Sequence, residues 1–297
     1  MPTDIPNKST IAIVGCGKVG TCLGKFLSDA GYPVAGVASR SMASAERTAG
    51  IIGIDRFSDR PETVTAAAGI VLITTPDDAI ASTCQHIADK GGVCPGAVVL
   101  HCSGALPSTL LAPAKASGAT IGSMHPLQSF ARIEVEKNPF CGIVVSVEGE
   151  PAAVATARAM AQDLEAVCVE IRTEAKTLYH ASAVVASNYL VTVMDLAFQL
   201  LESAGIDTCD VLKVLKPLID GTLANIEKVG IPEALTGPIA RGDVETVATH
   251  LDQIGSLRPD LLSLYRALGQ ATVGLARAKG LEANRAEQLS QLLDSAP

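Results

Sequence analysis

The stretch that decides the fold is Ile11–Gly20, which reads IAIVGCGKVG. Its four leading apolar residues predict a buried strand, and the G-x-G-x-x-G spacing that follows predicts a tight turn into a helix. In this pattern the first glycine permits the turn, the second admits a pyrophosphate close to the backbone, and the third lets the helix pack on the strand. The alternative is a glycine turn that binds nothing. The residues expected at the phosphates are Gly15, Gly17, Lys18, Val19 and Gly20.

Around this motif, apolar runs alternate with amphipathic stretches as far as Ile171. Strands are predicted at 11–14, 34–38, 70–74, 97–102, 143–147 and 167–171. Helices are predicted at 19–30, 78–90, 107–117 and 152–164. Strands separated by helices form a mostly parallel sheet with helices on both faces. Residues 1–171 are therefore predicted to be a Rossmann-type α/β domain that binds a dinucleotide.

The remainder of the chain shows no strand pattern. Helices are predicted at 174–204, 208–229, 241–254, 260–279 and 282–294. Residues 172–297 are therefore predicted to be an all-helical domain that serves substrate binding and dimerisation.

The most apolar stretch, Ala181–Leu201, contains polar side chains that would be costly in lipid. It therefore predicts a buried helix and no membrane partner. Its apolar residues extend around most of the helix circumference, which is more surface than one neighbour buries. We expect a homodimer that packs through the helical domains. The polar residues in this stretch are Ser182, Ser187, Asn188 and Asp195.

Composition excludes several classes of protein. The net charge is −8 and no cluster of Lys or Arg stands out, so a nucleic-acid partner is not expected. The eight cysteines show no C-x-x-C and no zinc-like spacing, and we expect reduced core residues of a cytosolic protein. No metal site is predicted, because the His and acidic residues also lack ligand spacing. The segment Met1–Lys8 has no apolar core typical of a signal peptide, which favours a cytoplasmic location.

The end of the second predicted strand indicates which nucleotide binds. An acidic residue there would bind the ribose 2′-hydroxyl of NAD, whereas this chain has Ser39, Arg40 and Ser41. A guanidinium can pair with a 2′-phosphate through two hydrogen bonds, and the flanking hydroxyl groups add donors. The predicted cofactor is therefore NADP, unless Arg40 is only a solvated surface residue.

Polar residues follow the later strands, where ligands lie in open α/β sheets. The stretch Thr75, Pro76, Asp77 and Asp78 is placed to border the nicotinamide end of the cofactor. Ser103 follows the next strand, and His125 lies in a predicted turn at 123–130. Both can hydrogen-bond a substrate. For His125 the alternative is a histidine capped within its own loop.

The first helix of the second half carries a polar stripe on an apolar background. At about 100° per residue, Lys176, His180 and Ser187 fall within roughly 40° of each other, and Asn188 lies toward the edge of the stripe. A binding site would explain such polar groups. Lys176 or His180 is then the candidate proton donor for reduction of a carbonyl or imine. Alternatively, Lys176 lies on the surface, while the others are core groups with hydrogen-bond partners.

Six stretches together resemble one family of bacterial Rossmann-like oxidoreductases, whose helical C-terminal half is a domain of unknown function. More distantly, the chain is similar to ketopantoate reductase, pyrroline-5-carboxylate reductase and prephenate dehydrogenase. Lys176 matches the catalytic Lys of hydroxyacid dehydrogenases, although His180 stands where they carry Asn. Ser103 and His125 resemble the Ser and His-Pro of prephenate dehydrogenases, without the flanking glycines. The six stretches are GCGKVG (15–20), TTPDDAI (74–80), HCSGAL (101–106), HPLQSF (125–130), LYHASAVVASNYLVTVM (178–194) and LTGPIARGD (235–243).

The resemblance implies hydride transfer between NADPH and a small carbonyl substrate, with a 2-oxo acid as the leading expectation. Lys176 or His180 would polarise the oxygen and donate the proton. Arg241 would clamp the carboxylate, unless it pairs with Asp243 or caps a helix. Two alternatives stay open: an imine reductase similar to pyrroline-5-carboxylate reductase, and a non-catalytic NADP-binding sensor. The residues expected to orient the substrate are Ser103, His125, Ser187 and Asn188.

Overall fold

The computed structural model describes residues 8–206 and 211–294. They divide into two compact units, the first ending at Ser187 and the second beginning at Asn188. The last strand ends at Glu170, near the predicted change at residue 172. The first unit nevertheless continues through the helix Lys176–Val184 to Ser187. The reason is that side chains from this helix hydrogen-bond to the sheet, as described below. Cys209 and residues 1–7 lie outside the described residues.

The described part of the first unit is built on an eight-stranded sheet in the order β3-β2-β1-β4-β5-β6-β7-β8. Neighbouring strands run parallel, except that β6 and β7 are antiparallel. The predicted α/β class with a mostly parallel sheet is confirmed. The strands are β1 (Ile11–Val14), β2 (Val34–Ala38), β3 (Phe57–Ser58), β4 (Ile70–Ile73), β5 (Val98–His101), β6 (Thr120–Pro126), β7 (Val144–Gly149) and β8 (Val167–Glu170).

Helices cover both faces of this sheet. The central strands β1 and β4 are buried at every residue, as continuous apolar strands of a parallel sheet must be. Alternate side chains of these strands belong to two apolar clusters, one on each face of the sheet. One cluster includes Ile11 and Leu23, and the other includes Val14 and Ile80. The helices of this unit are α1 (Lys18–Asp29), α2 (Met42–Ile52), α3 (Glu62–Thr65), α4 (Asp77–Asp89), α5 (Ala112–Ala116), α6 (Pro151–Asp163) and α7 (Lys176–Val184).

Two local predictions are wrong. The predicted helix at 107–117 is a 3₁₀ turn at Ser108–Leu111 followed by the short α5. The predicted turn at 123–130 begins as strand β6, which runs through Pro126. The sequence pattern did not predict this strand, because Ser123 and His125 interrupt its apolar run. In the structure, both side chains have hydrogen-bond partners on other elements.

Strand β6 reaches beyond its parallel neighbour. Residues 98–101 of β5 pair with residues 120–123 of β6, whereas Met124, His125 and Pro126 pair only with β7. The β6–β7 pair thus projects past the carboxyl ends of the parallel strands. This projection carries His125 and, directly opposite it, Ser146.

The described part of the second unit is helical, as predicted, and no strand occurs in it. Its core includes Leu196, Val247, Leu251, Val273 and Leu289. The start of the helix predicted at 208 lies outside the described residues. The helices are α8 (Leu190–Ser203), α9 (Val211–Val229), α10 (Pro238–Arg241), α11 (Val244–Leu257), α12 (Pro259–Ala278) and α13 (Ala283–Asp294).

The apolar helix at the start of the C-terminal half is exposed. Thr173–Ser203 is the one described helix long and apolar enough to cross a membrane by length and composition alone, and little of its most apolar window is buried. The prediction of a buried helix over Ala181–Leu201 is therefore wrong for the single chain. Only Leu196 is buried in α8, while Val191 is 69% exposed. A π-helical turn at Val185–Tyr189 interrupts this helix.

Candidate active site

The glycine motif forms the predicted tight turn. Gly15 adopts a positive φ of 116°, a conformation that L side chains rarely adopt. A Cβ on Gly20 would lie 2.0 Å from the Gly15 carbonyl oxygen, whereas a Cβ on Gly17 would meet nothing within 4 Å. The Thr74 hydroxyl holds the turn by donating to Gly15 O at 2.6 Å. Gly17 therefore borders open space, whereas backbone atoms next to Gly15 and Gly20 leave no room for a side chain at either position.

The start of α1 offers the donors that a phosphate needs. Gly17 is the N-cap, and no side chain caps the helix, so its first N–H groups have no side-chain acceptor. Lys18 is exposed beside them, and Val19 is half-buried. After β4, the buried Thr75 hydroxyl has no hydrogen-bond partner among the described residues, and Pro76 is the N-cap of α4. The open space, the uncapped helix and the unpaired hydroxyl all fit a bound dinucleotide.

The segment after β2 carries the predicted cation. Arg40 is exposed, and no described carboxylate lies within ion-pair distance of it. Ser39 is half-buried, and Ser41 caps α2 by accepting from Ser44 N at 3.4 Å. Arg47 is a second cation here that sequence reasoning missed. Burial raises the pKa of Cys16, and the charge of Arg47 partly opposes that rise.

Ser103 organises its own loop. Its hydroxyl donates to Asp77 Oδ2 at 2.9 Å and accepts from the backbone N–H groups of Ala105 and Leu106 at 3.2 and 3.0 Å. Its own N–H donates to Nδ1 of the buried His101 at 3.1 Å. With these partners, Ser103 fixes the loop after β5, and Asp77 comes from the stretch after β4 that the sequence indicated.

A cluster of one tyrosine and two histidines, formed by Tyr179, His125 and His180, lies against this loop. Nδ1 of His125 lies 3.1 Å from the Tyr179 hydroxyl, and the two rings meet edge to face with centroids 5.7 Å apart. The His180 ring lies 6.4 Å from that of His125. Both histidine rings lie next to Gly104. A Cβ on Gly104 would be 2.7 Å from His125 Nε2 and 2.9 Å from His180 Cδ2. The structure thus brings Ser103, His125 and His180 together, as the sequence predicts.

Burial sets the protonation of this cluster. Burial lowers the pKa of His125 to about 4, with a smaller contribution from the positive charge of Lys176. Burial also raises the pKa of Tyr179. At neutral pH, His125 is therefore a neutral ring and Tyr179 keeps its proton. A tyrosine hydroxyl of this kind can donate a proton to a substrate atom.

Lys176 lies in a buried polar network beneath the cluster. Its Nζ contacts Ser123 Oγ and lies 3.3 Å from Glu148 Oε1, and the lysine and glutamate side chains are each 1% exposed. Burial lowers the pKa of Lys176, and the Glu148 carboxylate opposes this. For Glu148, burial acts to raise the pKa, but hydrogen bonds and the Lys176 charge outweigh it and hold the pKa low. The ammonium therefore faces a carboxylate and not solvent.

The other predicted substrate residues are exposed. Ser187 ends the first unit, and Asn188 begins the second. The π-helical turn at Val185–Tyr189 adds residues to one turn, so a wheel drawn at 100° per residue from Lys176 does not hold at these positions. Arg241 is exposed at the end of α10, and its charge helps to lower the pKa of Asp243, mainly set by hydrogen bonds from Thr246.

Thiols and possible metal ligands add no further site. The seven described cysteines are unpaired, and burial raises the pKa of Cys102 to about 12, which makes its thiol unreactive. Within residues 8–206 and 211–294, no group of three or more His, Cys, Asp or Glu side chains is placed to hold a metal ion.

Comparison with protein families divides the chain in two. Residues 3–126 match a Rossmann-like domain, and residues 143–272 match a domain of unknown function, DUF2520. This confirms the resemblance that the motifs indicate. Among curated protein sequences, none matches the chain. The change from one match to the next falls in the loop between β6 and β7.

Solved structures share the fold over most of their length. A Bacteroides fragilis protein provisionally assigned as an NADP oxidoreductase has 24% identity and a TM-score of 0.73, covering 90% of this chain and 98% of its own. A Thermotoga maritima protein has 26% identity and a TM-score of 0.68, covering 91% and 99%. An imine reductase from a Pseudomonas species has 14% identity and a TM-score of 0.64, covering 91% and 96%.

The candidate site takes residues from both matches. His125 and Ser103 belong to the Rossmann-like match, whereas Glu148 and Tyr179 belong to the DUF2520 match. Sequence reasoning missed Tyr179 because an aromatic residue beside His180 reads as part of an apolar face. It missed Glu148 as well, although an acidic residue inside the apolar run of β7 was a usable signal.

Proposed function

We propose that the protein is an NADP-dependent oxidoreductase that transfers a hydride between the nicotinamide and the C=O or C=N carbon of a small substrate. The observation that carries this proposal is the Tyr179 hydroxyl, held 3.1 Å from His125 Nδ1 in the unit that contains the glycine turn. A reductase needs a proton donor where the substrate oxygen or nitrogen becomes negative. Tyr179 supplies one beside the carboxyl ends of the parallel strands.

The residues around the glycine turn would hold the cofactor. The start of α1 binds the pyrophosphate beside Gly17, Arg40 pairs with the 2′-phosphate, and the Thr75 hydroxyl finds the partner that it otherwise lacks. When bound, the nicotinamide supplies or accepts the hydride. The similarity in fold to the Bacteroides fragilis protein supports the choice of cofactor.

The Tyr179–His125 pair would hold and move the proton. The neutral imidazole carries one proton, and with that proton on Nδ1 it donates to Tyr179 Oη. The hydroxyl proton of Tyr179 is then free to point at the substrate atom that accepts it. In reduction this proton goes to the oxygen or nitrogen while the hydride goes to carbon, and the reverse reaction returns both. Lys176 is not the donor in this proposal, because its ammonium is buried against Glu148.

Two substrate classes rest on different observations. A 2-oxo acid is the class that the resemblance of the motifs to ketopantoate reductase implies. An imine is supported by the similarity in fold to the Pseudomonas imine reductase and by the neutral donors of the His–Tyr cluster.

A substrate panel tests the proposed activity. NADPH consumption should be followed by absorbance with a set of 2-oxo acids and a set of cyclic imines. Turnover in one set and not the other assigns the class. If NADPH binds and no compound of either set is reduced, the activity is contradicted, and a non-catalytic NADP-binding sensor becomes the better account.

Removal of the Arg40 charge should discriminate between the two nucleotides. In Arg40→Ala we expect the affinity for NADPH to fall at least tenfold, about 1.4 kcal/mol, while the affinity for NADH is unchanged. Calorimetric titration of both nucleotides measures this. Lys90→Ala, which removes an exposed positive charge at the end of α4, is the matched control and should bind both as the wild type does. Equal weakening of NADPH and NADH in Arg40→Ala would contradict a 2′-phosphate contact.

We further propose that the protein is a cytoplasmic homodimer in which a second copy covers the apolar faces of α8 and α9. Val191 and Leu218 are 69% and 68% exposed, and burial of such a side chain stabilises association by about 1.5–3 kcal/mol. The exposed Asp195 on α8 argues against a lipid environment, where a charge is costly. The proposed partner is therefore a second copy of this chain.

A charge in this face should separate the subunits. For Val191→Glu and Leu218→Glu we expect the mass measured by light scattering at micromolar concentration to halve. Ala81→Glu places the same charge at an exposed position of α4 and should remain dimeric. A wild-type protein that is monomeric under these conditions would refute the dimer.

A further inference from the structure

Glu148 and Lys176 form an ion pair beneath the His–Tyr cluster that is more deeply buried than any other between described residues. Both side chains are withdrawn from water, and their closest atoms lie 3.3 Å apart. Burial of two charges generally costs more than their attraction returns, so an apolar pair of similar size would stabilise the fold as well or better. Packing therefore does not explain why charges occupy this place.

The Glu148 carboxylate joins three segments of the chain. Oε1 accepts from Ser108 N at 2.9 Å and from Ser123 Oγ at 2.7 Å. Oε2 accepts from Ser108 Oγ at 2.7 Å and from Thr173 Oγ1 at 2.8 Å. Together with Lys176, these bonds tie the segment after β5, the strand β6 and the start of α7 to a single group on β7.

Ser123 and Lys176 each lie on the same face as a residue of the His–Tyr cluster, a few positions earlier in the same element. On β6, Ser123 precedes His125 by two residues, and residues two apart in a strand lie on the same side. On α7, Lys176 precedes Tyr179 by three residues, which places both on one helix face. The contact of Ser123 with Lys176 and the contact of His125 with Tyr179 are therefore parallel contacts between the same two elements.

We propose that the Glu148–Lys176 pair is a positioning device, which fixes α7 against β6 so that the Tyr179 hydroxyl meets His125. The pair acts through Tyr179 and does not touch the substrate. The inference rests on the proposed function, because it assumes that Tyr179 donates the proton.

The double variant Glu148→Gln/Lys176→Met tests this. It removes both charges and leaves none stranded, so the fold should persist. We expect kcat to fall about a hundredfold, the loss typical of a small misplacement of a reacting group. The Kd for NADPH should stay within about twofold of the wild-type value. The exposed Arg158–Glu170 ion pair provides the matched control, and Arg158→Met/Glu170→Gln should keep wild-type kcat. If the double variant does not fold, Thr173→Val, which removes one anchor, should lower kcat in the same direction.

Histidine ring NMR in the ligand-free protein gives a second readout that is independent of activity. The chain has five histidines. In the double variant we expect the His125 ring nitrogen signals to move toward those of Tyr179→Phe, while those of His250, hydrogen-bonded to Tyr265, stay unchanged. Movement of the signals in a protein that reduces no substrate would uphold the positioning and refute only the proposed function. Unchanged kcat, or lost kcat with unmoved His125 signals, would overturn the inference.

Discussion

Gly17→Ala is expected to fold as the wild type does and to lose most of its affinity for NADPH. The added Cβ would meet no protein atom within 4 Å, and the φ of −81° at Gly17 suits any L residue. The methyl group would instead stand where the pyrophosphate must approach the start of α1. We expect the Kd for NADPH to rise about a hundredfold, or roughly 2.7 kcal/mol, and the free energy of unfolding to change by less than about 1 kcal/mol.

Titration calorimetry and denaturant unfolding measure these two quantities. Gly50→Ala is the matched control, because Gly50 also has open space around it but lies within α2, away from the turn. This variant should bind NADPH normally and gain up to about 1 kcal/mol of stability from helix propensity. Gly20→Ala should instead lower the free energy of unfolding, since the added Cβ would lie 2.0 Å from the backbone oxygen of Gly15 in the turn. Normal NADPH binding by Gly17→Ala would show that the turn holds no phosphate.

Tyr179→Phe is expected to lower kcat by a factor of about 10² to 10⁴, the range for loss of a proton donor. The phenyl ring keeps the edge-to-face contact with His125 and loses only the hydroxyl that lies 3.1 Å from Nδ1. Binding of NADPH should be unchanged. Single-turnover kinetics with the best substrate of the panel, together with NADPH titration, separates the two effects.

The control for this variant is Tyr189→Phe. Tyr189 is 58% exposed in the π-helical turn, so loss of its hydroxyl should leave kcat unchanged. A Tyr179→Phe enzyme with wild-type kcat would reject Tyr179 as the donor and favour His180, the other candidate donor in the cluster.

The parallel sheet could be predicted because its signal is local. Ile11–Val14 and Val34–Ala38 are apolar runs bounded by turn residues, and both strands have the predicted bounds. Strand β6 could not be recognised in this way. Its Ser123 and His125 are accommodated by Glu148 and Tyr179, which lie 25 and 54 residues further along the chain.

The site was predictable in part for the same reason. Polar residues after the strands pointed to Ser103 and His125, and the stripe on the helix pointed to His180. The partner of Lys176 was not predictable, because spacing along one helix says nothing about a carboxylate on a separate strand. The π-helical turn that changes the phase before Asn188 has no local sequence signature.

The loop between β6 and β7 separates two stretches of sequence that could be exchanged as units, yet the chemistry does not divide there. His125 and Ser123 lie before this loop, whereas their partners Tyr179 and Glu148 lie after it. A crossover in the loop, by gene recombination or in a laboratory chimera, would join strands β1–β6 of one parent to strands β7 and β8 and the later helices of the other. Each half would then carry one member of each hydrogen-bonded pair. Such hybrids would be active only when the parents carry matching partners. We therefore expect substitutions at one member of each pair to require a matching substitution at the other.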